Sequence, residues 1–148
     1  MLDVPSVLSR LRGCKVYFDT NIFIYLLNNT EGFAQPCLAL LQACANRQLT
    51  GLTGDVTLAE LLVKPLQCND AAAVAAVREL LVTDGSISLL GHDRAAFERA
   101  AHLRAKHGLK MVDALHLATA LQGGAVCLIS NDHKFPQLAE MECLSLTD

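Results

Sequence analysis

Four acids, Asp19, Glu60, Asp113 and Asp132, stand in surroundings where carboxylates are uncommon. Asp19 ends the apolar run Val16-Tyr17-Phe18 and opens Thr20-Asn21, while Asp132 follows Ala125-Val126-Cys127-Leu128-Ile129 through Ser130-Asn131. Glu60 and Asp113 lie inside segments that are otherwise mostly apolar. A carboxylate removed from water needs a partner, and no Arg or Lys stands beside Asp19 or Asp132 within these motifs. A hard divalent cation is the economical partner, because Mg²⁺ takes oxygen ligands and is commonly held by one or two carboxylates together with phosphate oxygens.

The elements that must position these acids are legible in outline. Strand-like runs alternate with helix-like ones, which predicts a parallel sheet covered by helices on both faces. The first strand is Lys15–Asp19, followed by a short helix Asn21–Leu27, a polar turn from Asn28 to Gly32, a helix Phe33–Arg47 and a strand Gln48–Leu52. Asp55 or Thr57 is suited to cap a helix carrying Glu60, and Pro65 is expected to stop it. Asn69-Asp70 opens a helix through Val82, Ser86–Leu90 is a strand, and Gly91-His92-Asp93 opens a long helix that Gly108 closes. Met111–Leu121 is apolar nearly all round and should be a buried helix ended by Gly123-Gly124. Ala125–Ile129 is a core strand and Cys143–Leu146 a last edge strand.

Asp19 and Asp132 therefore fall at the carboxyl ends of two strands, where open α/β sheets bind ligands at a reversal of strand order. Asp113 lies in the first turn of its helix, where the macrodipole favours negative charge; a helix-start acid with no further role is the alternative there.

At 148 residues the chain has the size of one domain, residues 1–148, with enough length for a proper core. Hydrophobic residues make up 52% and charged ones 18%, a balance that excludes extended disorder. Met1 to Gly13 is too polar for a signal peptide, and no stretch approaches the roughly 20 apolar residues of a membrane helix, so a cytoplasmic protein without membrane contact is expected. The cysteines at 14, 37, 44, 68, 127 and 143 form no C-x-x-C pair and are expected to be buried free thiols. The net charge of −3 argues against a polyanionic partner only until the four acids are set aside, which leaves a small positive excess. Arg94, Arg99, Arg104, Lys106 and Lys110 cluster in one segment and suit a phosphate backbone or a solvated helix face equally well.

Taken together, Val16-Tyr17-Phe18-Asp19-Thr20-Asn21, Thr57-Leu58-Ala59-Glu60, Asp113 through Ala120, and Ser130-Asn131-Asp132 resemble a PIN-domain nuclease, and most of all the VapC-type toxins of toxin–antitoxin pairs. The likeness runs in order from Tyr17 to about Phe135. It implies a three-layer α/β/α sandwich with a central parallel sheet, an acidic quartet of Asp19, Glu60, Asp113 and Asp132 that binds Mg²⁺ or Mn²⁺, and endonucleolytic cleavage of RNA. It further implies a cognate antitoxin and a homodimer. Asn21 and Ser130 match polar positions near the quartet. Met111-Val112 stands before Asp113 where many relatives carry a proline.

The residue types suit that chemistry. Phosphodiester cleavage needs an activated water and a stabilised leaving oxygen; a metal supplies the first, and a second metal, typically ~3.5–4 Å away, can supply the other. No serine or cysteine with a paired base suggests covalent catalysis. Close carboxylates repel, so Asp19→Asn is expected to abolish cleavage and leave the metal-free protein at least as stable.

Lys110 and Lys134 flank the acids in sequence and are the expected phosphate contacts, with His133 a weaker candidate. His116, one turn beyond Asp113, reads as a partner of that carboxylate, as a substrate contact or as a satisfied buried histidine. Aromatics are only 5% with no Trp, so no stacking platform for bases is visible and recognition should lean on backbone and shape. Other readings remain: a nuclease of the same fold acting on structured DNA or in RNA processing, a metal- or partner-binding module without turnover, and a phosphohydrolase. Against the last, Asn21 stands where a second Asp is expected.

Overall fold

A computed structural model describes residues 1–131 and 133–148. Asp132 lies outside the described residues. The strands are β1 (Lys15–Phe18), β2 (Thr50–Gly54), β3 (Ile87–Leu90), β4 (Cys127–Ser130) and β5 (Glu142–Ser145). They form one parallel sheet in the order β3-β2-β1-β4-β5. The helices are α1 (Val4–Arg10), α2 (Thr20–Leu27), α3 (Ala34–Ala45), α4 (Asp55–Gln67), α5 (Ala71–Arg78), α6 (Arg94–His107) and α7 (Met111–Gln122), with a π-helical turn at Glu79–Thr83 after α5.

The period of two along the strands sorts side chains between two cores. Val16 and Phe18 of β1 and Cys127 and Ile129 of β4 pack with the residues of α1, α2 and α3 on one face. Tyr17 and Leu128 turn the other way, onto α6 and α7 through Ala96, Ala100, Leu117 and Ala118. The result is the expected three-layer α/β/α sandwich with a central parallel sheet. The sheet runs outward from β1 in opposite directions, through β2 on one side and β4 on the other, so the crevice above their carboxyl ends lies at the switch point.

Several boundaries differ from the sequence reading for local reasons. The N-terminal segment, left without an element, forms α1: Asp3 accepts from the Ser6 N–H at 3.4 Å, Val4 and Val7 are buried, and the Leu2 N–H donates to Leu146. Seven residues give too little periodicity to be read as a helix. The second strand starts at Thr50 and not at Gln48, because Arg47 takes a left-handed φ of 62° and the Thr50 N–H is the first to join Cys14 of the neighbouring chain segment. Gly51 then passes so close to α3 and β3 that an added Cβ would come within 2.6 Å of both Cys44 Sγ and Ile87 Cδ1.

Pro65 does not end α4 but lies inside it. The helix survives its missing N–H for one more turn, and Asn69, with φ 52°, is where the chain leaves. Nor do Asp55 and Thr57 cap α4: Gly54 holds that position without a side-chain bond, Asp55 is the first helical residue and Thr57 is buried. The Phe33–Arg47 helix is shorter at both ends, and the predicted helix to Val82 gives way to the π-helical turn after Arg78. Asp70, Asp93 and Gly108 cap α5 and α6 as read. The six thiols are free, with Cys37, Cys44, Cys127 and Cys143 buried, Cys14 half-buried and, contrary to expectation, Cys68 exposed. Among the described residues no helix is long and apolar enough to cross a membrane.

Candidate active site

Asp19 leaves β1 and becomes the N-cap of α2, where its Oδ1 accepts from the Thr20 N–H at 2.8 Å. It is 3% exposed. The next strand over, β4, delivers Ser130, whose hydroxyl donates to Asp19 Oδ2 at 2.8 Å. Asn21 completes this corner by donating from Nδ2 to Ser130 Oγ at 3.3 Å. Asp113 enters from the first turn of α7 on the other face of the sheet.

The charge that joins these two acids comes from the chain itself. Lys134, on the segment after β4, places its Nζ 3.1 Å from Asp19 Oδ2 and 3.0 Å from Asp113 Oδ1. The same ammonium lies 5.1 Å from the centroid of the Phe135 ring, within cation–π range. Burial pushes the lysine's pKa down, but the charge of Asp19 and the hydrogen bonds to Asp113 and Asp19 outweigh it and hold the pKa above the ordinary value. The sequence reading places Lys134 near the acids as a phosphate contact and not as their own cationic partner, because spacing along the chain does not show which oxygens an ammonium meets.

Glu60 comes from α4 and shares His116 with Asp19. Its Oε1 accepts from Thr20 Oγ1 at 2.6 Å and faces His116 Nε2 at 3.0 Å. Burial raises the Glu60 pKa, yet the hydrogen bonds from His116 and Thr20 and the His116 charge prevail and hold it below the ordinary carboxylate value. His116 is the satisfied buried histidine, and its carboxylate partner is Glu60, with Asp19 Oδ1 further off at 3.6 Å. Because an ionised Glu60 only accepts, Nε2 carries a proton toward it, and Nδ1 lies 2.7 Å from the Tyr17 hydroxyl. Thr57 stands 3.1 Å from Thr20 Oγ1 and 2.8 Å from Thr53 Oγ1, which donates to the Phe18 carbonyl.

Tyr17 and the three threonines are site residues that the sequence reading did not single out. Their signal was faint: a Thr beside Asp19, a Thr one turn before Glu60, and a tyrosine, not a phenylalanine, in a buried strand. Gly54 makes room for this network, since a Cβ there would lie 2.8 Å from the Tyr17 hydroxyl and 2.5 Å from His92 Cε1.

The remaining candidates are distributed as follows. Lys110 is exposed at the N-cap of α7. Arg94, Arg99, Arg104 and Lys106 are exposed on α6, and Arg104 donates to the Leu109 carbonyl at 2.8 Å. His133 faces the end of the chain, with its ring nitrogens 3.5 Å from Asp148 Oδ1 and 3.1 Å from Thr147 Oγ1. Asn131 donates from Nδ2 to the Tyr25 hydroxyl. The side-chain oxygens of Asn21 and Asn131 are buried and find no hydrogen-bond partner among the described residues.

Two tests bear on a divalent cation. Among the described residues no three His, Cys, Asp or Glu side chains close on a common point; Asp132, the fourth acid of the expected quartet, lies outside those residues. Asp19 and Asp113 do converge, however, and they do so on an ammonium group. A pair of carboxylates is a sufficient protein contribution for Mg²⁺ when phosphate oxygens and water complete the shell. The donor set therefore fits such an ion, with the lysine as its stand-in.

Comparison with known proteins agrees with this architecture. The chain superposes on VapBC2 from Rickettsia felis, solved bound to a DNA fragment from its promoter, with a TM-score of 0.67 at 17% identity, covering 88% of this chain and 98% of that one. A toxin–antitoxin complex from Klebsiella pneumoniae gives 0.65 at 22% identity, covering 88% and 96%. VapC20 of Mycobacterium tuberculosis, a toxin that cleaves the sarcin–ricin loop, gives 0.62 at 16% identity, covering 76% and 86%. At these identities the likeness is one of fold. No curated protein sequence matches significantly. The family model for the PIN domain matches residues 16–141, a span that begins in β1 and takes in Asp19, Glu60, Asp113 and Asp132. The acids at the sheet's switch point are thus set in the fold of a known group, and this chain belongs to the PIN domain family.

Proposed function

We propose that the protein is a metal-dependent endoribonuclease and the toxin of a toxin–antitoxin pair. The observation that carries this reading is the convergence of Asp19 and Asp113 on one cation at the carboxyl ends of the strands. In this reading Asp19 and Asp113 hold Mg²⁺ or Mn²⁺, and Glu60 and Asp132 complete the acidic set. The ion, when bound, activates water and stabilises charge on phosphate oxygens.

The chain's own residues have separable tasks. Ser130 and the Thr20 N–H fix the rotamer of Asp19, leaving Oδ2 turned to the cation position. Thr20 and His116 take up one oxygen of Glu60, which keeps that carboxylate ionised and fixes its direction. The free carbonyl oxygen of Asn21 is an acceptor suited to a water or a ribose hydroxyl. Asn21 and Ser130, together with Lys110 and Lys134, form the substrate-facing set, and the exposed bases of α6 extend it with positive charge for a phosphate backbone. The proposed cognate antitoxin is supported by the fold likeness to toxin–antitoxin complexes, and a homodimer remains part of the proposal.

Labelled RNA and DNA incubated with purified protein in Mg²⁺, Mn²⁺ or EDTA test the reading. RNA cleaved internally with either metal, spared by EDTA and spared by each of Asp19→Asn, Glu60→Gln, Asp113→Asn and Asp132→Asn is the expected result. Cleavage of DNA alone, or cleavage in EDTA, would overturn it.

A further inference from the structure

We propose that Lys134 is a built-in competitor for the cation position and sets how tightly this site takes a divalent ion. The inference rests on the metal-dependent reading above. Its ground is geometric: one ammonium is placed 3.1 Å from Asp19 Oδ2 and 3.0 Å from Asp113 Oδ1, the same two oxygens that face each other across the site. Asp19 Oδ1 accepts from the Thr20 N–H and Oδ2 from the Ser130 hydroxyl. An ion that bridges Asp19 Oδ2 and Asp113 Oδ1 takes the position that Lys134 fills.

The arm is built to leave and return. Its side chain retains 30% of its exposure, so a path to solvent is open, whereas Asp19 is almost wholly enclosed. Phe135, buried beneath it, gives the ammonium a second favourable contact near the acids. Attachment to the segment after β4 makes the competition intramolecular, with an effective concentration far above that of a free amine. The lysine also relieves repulsion between the acids, a task a divalent ion performs with twice the charge. Exchange of one for the other makes Lys134 a determinant of affinity and gives the site a latched state at low metal concentration.

The test is titration of metal-stripped protein with MgCl₂ by calorimetry, in wild type, Lys134→Met, Lys134→Arg and Asp113→Asn. Removal of the competitor should tighten Mg²⁺ binding by about tenfold or more, in the usual range of coupling between two ligands; arginine should leave it near wild type, and Asp113→Asn should weaken it. Equal or weaker binding by Lys134→Met, with Asp113→Asn still impaired, overturns the inference and leaves the metal reading standing. No Mg²⁺ binding by any form, or binding indifferent to Asp113→Asn, removes both. Should Lys134→Met fold poorly, wild type alone decides: reductive methylation of Lys134, followed by mass spectrometry, should speed up severalfold in saturating Mg²⁺. An unchanged rate in protein shown to bind the ion refutes the exchange.

Discussion

The hydroxyl of Tyr17 and Nδ1 of His116 lie 2.7 Å apart, both buried, with their rings edge to face. Tyr17 comes from β1 and His116 from α7, so this bond ties the central strand to the helix that carries Asp113.

Tyr17→Phe should therefore do more than remove a hydroxyl. It leaves Nδ1 of a buried imidazole unpaired, which costs about 1–3 kcal/mol. Urea unfolding of the metal-free protein measures this. Combining it with His116→Leu should cost less than the sum of the two single changes, since the orphaned partner is then gone too. Strict additivity would show that the two side chains do not act as a pair.

Asp19→Asn should destabilise the metal-free chain, against the expectation drawn from repelling carboxylates. Lys134, the Ser130 hydroxyl and the Thr20 N–H all address Asp19, so the structure surrounds this carboxylate with donors. Loss of its charge should cost about 1–3 kcal/mol, read by denaturant unfolding in EDTA. Stability equal to or above wild type would mean that repulsion among the acids outweighs these contacts.

His92 gives the stability a pH dependence of known sign. Its Nε2 accepts from the Val56 N–H at 3.1 Å, and its Nδ1–H donates to Thr119 Oγ1 at 2.7 Å, an arrangement that needs the neutral ring. Burial, and then the charge of His116, lower its pKa from 6.5, against a smaller opposing pull from Asp55. The unfolded chain binds the proton more readily. The contribution to stability is thus complete above about pH 6.5 and fades as pH falls through the lower folded-state pKa. Melting temperatures from pH 7.5 down to 5 should fall more steeply for wild type than for His92→Gln, and parallel slopes would exclude His92 as the source.

The sequence alone determined the fold class and which carboxylates are candidates for the site. Alternation of Val16, Tyr17 and Phe18 between two apolar environments, and the apolar run before Ser130, require a strand buried on both faces, which is the mark of a covered parallel sheet. Asp19 after such a strand must emerge at its carboxyl end. These properties follow from local periodicity and from the cost of burying charge, and both are written in the order of residues. The helix ends were less secure where local signals competed, as at Pro65, which lies inside α4 near its end.

What touches what was decided only in three dimensions. Lys134 is distant in sequence from both Asp19 and Asp113, and its place between them depends on β4 lying beside β1. The division of the acids into an Asp19–Asp113 pair on a lysine and a Glu60 held by Thr20 and His116 has no counterpart in spacing, because Coulombic and hydrogen-bonding partners are set by distance in space. The chain order supplied the charges, and the crossing of strands and helices settled which of them face one another.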